Sequence, residues 1–140
     1  MEVSEEMNTG NENRSYRERI FSRYQTLTST GTFALRDYEE WAEKVGKRNF
    51  LKFLPKDRNS RILDAGCGTG KFLYFLKKCG YLNCVGVDIS NESVIIANKL
   101  GITNAINNDI FDFLKKTPPL CFEMVYCQDV IEHLSKNEIV

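Results

Sequence analysis

The stretch "ILDAGCGTGKF", residues 62–72, decides how the rest of the chain is read. An apolar run gives way to glycines at 66, 68 and 70, and a second apolar run follows. Glycine accepts positive φ and lets a ligand approach the main chain, so alternate glycines mark a turn built for contact with backbone. "RILDA" (61–65) before the turn reads as a short buried strand. "KFLYFLKKCG" (71–80) after it reads as a helix, with Phe72, Leu73, Leu76 and Cys79 inward and Gly80 as its stop.

The pattern repeats toward the C-terminus. "CVGVD" (84–88) is a second strand, and "SNESVIIANKLG" (90–101) is a helix capped by Ser90 and ended by Gly101. "NAINND" (104–109) is a third, weaker strand, followed by the short helix "IFDFLKK", which Pro118 and Pro119 stop. "FEMVYCQD" (122–129) is a fourth strand, and "VIEHLSKNEIV" begins another helix. Strands alternating with helices predict an α/β fold: a Rossmann-like parallel sheet with helices on both faces. Ligands in such sheets bind at the carboxyl ends of the strands.

Toward the N-terminus, residues 1–13 are nearly devoid of apolar side chains and are expected to be a disordered tail. Residues 14–55 form a predicted helical cap region, and 56–140 the cofactor-binding half of the Rossmann-like domain. "SYRERIFSRYQTL" (15–27) reads as a helix with Tyr16, Ile20, Tyr24 and Leu27 on one face. "ALRDYEEWAEKVGKRNFLKFL" (34–54) reads as one or two helices, with Tyr38, Trp41, Ala42 and Val45 at helical spacing. Core packing and substrate contact are both open to Tyr38 and Trp41.

Three loop chemistries compete for the glycines. A nucleoside-triphosphate loop needs G-x-x-x-x-G-K-[ST]; Ala65 stands at its first glycine and Phe72 at its hydroxyl. The dinucleotide fingerprint G-x-G-x-x-G, begun at Gly66, meets Lys71 where a third glycine belongs. What stands here is D-x-G-x-G-x-G, formed by Asp64, Gly66, Gly68 and Gly70. A carboxylate before the loop disfavours a pyrophosphate and suits a ligand with a positive amino group. Four predicted strands end in aspartate, at Asp64, Asp88, Asp109 and Asp129, spaced 24, 21 and 20 residues apart. That spacing is about one strand–helix unit, so all four fall along one sheet edge. Each also has a competing role, capping the helix that follows it.

The loop resembles motif I of the class I S-adenosylmethionine (SAM)-dependent methyltransferases. Asp88, 22 residues after Gly66, matches the acidic residue that holds both ribose hydroxyls in that family. Asp109 matches an acidic residue that contacts the adenine amino group, and "CQDVIEHL" resembles the segment that closes over the methionine part. The resemblance covers residues 34–140, most closely 61–134. It implies SAM as cofactor, S-adenosylhomocysteine (SAH) as product and a small-molecule or glycan-type acceptor. It implies loop contacts from Asp64, Ala65, Gly66, Cys67, Gly68 and Gly70. Further contacts come from Asp88 with Ile89, Asp109 with Ile110, and Gln128.

His133, the only histidine, sits just past the fourth strand and is the candidate general base. No metal is expected. The alternative is a divalent-ion site from Asp129, Glu132 and His133, because some hydroxyl-methylating members look similar there, with glutamate in place of Asp129.

Composition narrows the partners. Lysine plus arginine and aspartate plus glutamate balance at 19 each, which disfavours a nucleic-acid backbone as partner. No apolar stretch approaches the ~20 residues of a membrane span, and the polar N-terminus is no signal peptide. Five cysteines (67, 79, 84, 121 and 127) without a C-x-x-C pair point to buried thiols in a reducing cytoplasm.

The family's later strands have no counterpart before Val140, so the chain reads as truncated after its fourth strand. An edge strand carrying Val125, Tyr126 and Cys127 would then invite self-association. Two non-enzyme readings stand beside the methyltransferase: a SAM-binding partner subunit without catalysis, and a degenerate scaffold. An NAD-dependent oxidoreductase is the enzyme alternative.

Overall fold

The computed structural model describes residues 16–28 and 32–139. The tail expected over 1–13 and the side chain of Leu27 lie outside the described residues. Four parallel strands, β1 (Ile62–Ala65), β2 (Cys84–Asp88), β3 (Ala105–Asn107) and β4 (Met124–Cys127), form one sheet in the order β3-β2-β1-β4. β1 lies at the centre, with Ile62 opposite Cys84 on one side and Met124 on the other. The order reverses direction at β1, so the crevice outside β1 and β4 is the topological switch point where open α/β sheets bind ligands.

Helix α1 (Tyr24–Thr28) and the preceding helical residues 16–21 lead into α2 (Leu35–Trp41). α2 continues through a π-helical turn, Ala42–Gly46, into a last short helical turn, Lys47–Asn49. The expected stripe of Tyr38, Trp41, Ala42 and Val45 is buried at Tyr38 and Ala42 only. The extra residue of the π turn brings Gly46 against Phe75 instead: a Cβ there would lie 2.6 Å from the ring.

α3 (Lys71–Lys78), α4 (Asn91–Lys99), α5 (Ile110–Lys115) and α6 (Lys136–Ile139) complete the fold. α3 buries Phe72, Leu73, Phe75 and Leu76; Cys79, expected inward, is only partly covered. Ser90 caps α4 as expected, its Oγ accepting the Ser93 amide at 3.3 Å. The main core gathers Tyr38, Ile62, Phe72, Leu76, Val94 and Ala97 on one sheet face. Tyr126 of β4 joins it, its ring stacked on Phe72 at 3.7 Å. The other face carries a smaller cluster, Leu63, Ala65 and Val87, against which Ile110 and Phe113 of α5 pack.

Two elements differ from the sequence reading. After β4 there is no continuous helix: a 3-10 turn, Ile131–His133, is followed by extended Leu134 and then α6. The reason is local, because Glu138 reaches back to the start of α6, one half of a capping box; the Ser135 amide and hydroxyl both donate to the Glu138 carboxylate at 2.9 Å. The 15–27 helix is interrupted at residues 22 and 23, and its expected apolar face stays largely exposed. Tyr16, Ile20 and Tyr24 are 53%, 40% and 41% exposed, whereas Arg17 is 7% exposed. This segment lies on the polar carboxyl edge of the sheet, where its partners are charged.

Candidate functional site

The glycine turn connects β1 to α3, and three backbone contacts fix it. The amides of Gly66 and Cys67 both donate to the Val87 carbonyl, at 2.8 and 3.1 Å. The Tyr38 hydroxyl, from α2, donates to the Thr69 carbonyl at 2.9 Å. Gly66, Gly68 and Gly70 all take positive φ, 79°, 53° and 84°. At Gly66 the constraint is also steric, since a Cβ would fall 2.2 Å from Cγ2 of Val130. At Gly68 nothing lies within 4 Å of a Cβ position, so the backbone is bare on the side that faces the cavity.

That cavity, of about 260 Å³, opens at the carboxyl edge of the sheet. Gly66 and Gly68 form its floor with Asp88 and Ile89 after β2, and Asp109 and Ile110 at the start of α5. Gln128, Asp129 and His133 line the side beyond β4. The structure therefore brings together eight of the residues expected to hold cofactor or act as base. Asp64, Ala65, Cys67 and Gly70 lie outside the lining, beneath or behind the turn.

Of the four aspartates expected at strand ends, only Asp88 ends a strand; Asp64 lies within β1, and Asp109 and Asp129 lie two residues past β3 and β4. The Asp88 carboxylate accepts the Gly68 amide and the Ser90 amide, both at 2.8 Å, and so ties the glycine turn to β2. Burial pushes its pKa up, and those two backbone donors pull it back. Asp109 caps α5, its Oδ1 accepting the Phe111 and Asp112 amides at 2.9 and 3.3 Å. Its Oδ2 meets Arg17 at 2.6 Å. Capping and cavity lining thus coexist in one side chain.

Asp64 is 2% exposed and its Oδ2 has no hydrogen-bond partner among the described residues. Burial, and then the nearby Asp88 charge, push its pKa up to about 8. A buried carboxyl without a donor is costly, and an arriving positive charge would relieve it.

Beyond β4 the chain turns through Asp129, whose φ is 55°. That left-handed residue brings Val130 under Gly66 and exposes the His133 ring to the cavity. The Phe21 ring packs on His133 at 4.6 Å between centroids. Glu132 faces a second cavity, of about 630 Å³, which shares Arg17, Phe21, His133 and Leu134 with the first. Among the described residues no group of three or more His, Cys, Asp or Glu side chains could hold a metal ion.

The sequence reading missed the wall supplied by residues 16–28. Arg17, Phe21, Tyr24 and Gln25 all line the first cavity. Arg17, Phe21 and Gln25 stand four residues apart, the spacing of one helical face, but nothing in the sequence alone shows that this side rather than the apolar one meets the cavity.

A family profile described as a methyltransferase domain matches residues 36–138. The chain belongs to this methyltransferase family. Its fold is that of the class I SAM-dependent methyltransferases. A SAM-dependent methyltransferase from Archaeoglobus fulgidus superposes with a TM-score of 0.61 at 26% identity, over 73% of this chain and 43% of that one. The magnesium protoporphyrin IX methyltransferase of Synechocystis PCC 6803, solved with bound SAM, shares the fold at a TM-score of 0.55 and 20% identity; the match covers 90% of this chain and 66% of that one. Ajmaline N-methyltransferase of Rauvolfia serpentina is 33% identical over 89 residues, 60% of this chain. That match spans 31% of the relative's length. The family match leaves no ground for the oxidoreductase reading, and Lys71 stands where a dinucleotide loop would place its third glycine.

Proposed function

We propose that this domain binds SAM across the glycine turn and serves methyl transfer to a small-molecule or glycan-type acceptor. The observation that carries the reading is the pairing of a bare cradle at Gly68 with the orphaned Asp64 carboxyl behind it. These residues fit SAM: the open backbone suits its methionine part, a positive amino group would relieve the buried Asp64 carboxyl, and Asp88 offers acceptor oxygens to ribose hydroxyls. Asp109 and Ile110, which line the same cavity, are the proposed adenine contacts.

When bound, SAM supplies an activated methyl on a sulfonium. What remains for the protein is alignment and exclusion of water. Phe21 and Val130 supply apolar walls, and the 128–134 segment flanks the open side. His133 lines both cavities and is the proposed base for an acceptor in the second.

The cytoplasm is the proposed location, in keeping with five free cysteines. Among the described residues, no helix is long and apolar enough to cross a membrane. β4 is a proposed pairing edge, with Val125 57% exposed.

Calorimetric titration with SAH tests the reading. Binding in the micromolar range is expected. Asp88→Ala should weaken it at least about 10-fold, the scale of one lost charge-assisted hydrogen bond. Absence of binding by a folded chain would overturn the reading and favour the scaffold alternative. Tight binding without turnover would favour a partner subunit.

A further inference from the structure

The N-terminal segment 16–28 lines the cavity through Arg17, Phe21, Tyr24 and Gln25, and most of its attachments are polar. Arg17 lies between two carboxylates from different parts of the chain, Asp109 at 2.6 Å and Glu138 of α6. Its guanidinium also sits over the Phe111 ring, 5.3 Å from the centroid. One turn on, Phe21 covers His133. One further turn on, Gln25 donates to the Ser93 Oγ at 3.1 Å, and the Thr26 amide donates to Glu92 at 3.0 Å.

The apolar stripe of the same segment is poorly covered: Tyr16 and Ile20 border the second cavity and Tyr24 the first, 53%, 40% and 41% exposed. Hydrophobic burial therefore contributes little to holding it in place. A segment with few buried apolar contacts belongs to the low-stability end of a fold and opens locally. Arg17 is the exception, a buried charge whose two partners are themselves largely covered. Breaking such a pair strands the remaining charges, so the attachment is concentrated at this one side chain.

We propose that Arg17 is a positioning residue for the cofactor site: it latches residues 16–28 as a strap over the cavity and sets the rate at which the cofactor leaves. The latch anchors on Asp109, a residue of the cavity floor, and on Glu138, beyond the post-β4 segment. One guanidinium thus ties together the roof, the floor and the far wall. The kinetic consequence rests on the SAM-binding reading above; the strap itself does not.

The test uses the full chain and two readouts. Hydrogen exchange compares wild type with Arg17→Met, Arg17→Lys and Glu138→Gln, without ligand. Amides of residues 17–28 should exchange faster in Arg17→Met, with β1 amides unchanged, and Arg17→Lys should fall between the two. Stopped-flow release of SAH should then be about tenfold faster or more in Arg17→Met, because loss of a closing contact appears in the dissociation rate. Glu138→Gln, which keeps Asp109 paired, should show a smaller change of the same sign and stands in if Arg17→Met fails to fold. Unchanged exchange in 17–28 would overturn the latch. Faster exchange with an unchanged SAH release rate would overturn the gate. If wild type does not bind SAH, the functional reading falls, and the exchange comparison alone decides the latch.

Discussion

The floor of the cavity and its roof are held by different forces. Beneath the floor, Leu63, Ala65 and Val87 are at most 5% exposed, and the glycine turn is bonded to the Val87 carbonyl and the Asp88 carboxylate. On the roof, residues 16–28 leave Tyr16 and Ile20 exposed and hold on through charges and amides. Apolar burial is non-directional and roughly proportional to area, so the floor is cohesive and slow to open. Polar contacts exchange for water at little net gain, so the roof is closer to balance. A ligand site between them has one rigid side and one that can move.

The contrast can be broken first from the floor. Leu76 of α3 is fully buried, in the same core as Tyr38 and Phe72. Leu76→Ala should cost ~2–5 kcal/mol of stability, read as a fall in the denaturation midpoint. Gly66→Ala acts on the turn itself. A left-handed alanine costs ~1–2 kcal/mol, and its Cβ also displaces Val130. SAH binding should be lost while most of the core survives, as judged by titration beside far-ultraviolet circular dichroism.

A pH series sharpens the comparison at Asp64. Its folded pKa, about 8, is raised above the ordinary 3.8. The folded state therefore holds a proton that the unfolded chain releases. Stability associated with this proton is full below pH 3.8 and is lost as pH rises toward about 8. Asp64→Asn should flatten that decline in urea denaturation measured across this window; an unchanged slope would reject the assignment. The smallest effect belongs to the roof. Thr26→Val removes a 2.6 Å hydroxyl contact to the exposed Glu92 carboxylate. The melting temperature should not change beyond experimental scatter, because nothing buried is left unpaired.

Much of the floor was legible in the sequence, since its signals are local. Alternating glycines require positive φ, and Ser90 caps the helix behind it; of the four aspartates expected to end strands only Asp88 does, Asp64 lying within β1 and Asp109 and Asp129 two residues past β3 and β4. These features depend on neighbours a few residues away, and the chain carries them wherever it folds. The run of residues after β4 departs from its expected form because Ser135 and Glu138 restart a helix that hydrophobic spacing alone would continue.

What the sequence determined by itself is the parallel sheet, the glycine turn and the row of acidic residues along one edge. What only the tertiary structure decided is which face of residues 16–28 turns inward. Periodicity favours Tyr16, Ile20 and Tyr24, yet Arg17 is the buried residue. The physical reason is that helical spacing reports how apolar a face is, not what it will meet. Here the surface it meets carries Asp109 and Glu138, brought together from positions 92 and 121 residues away by the folding of the sheet. A guanidinium between two carboxylates is a contact of tertiary structure, and no local rule contains it.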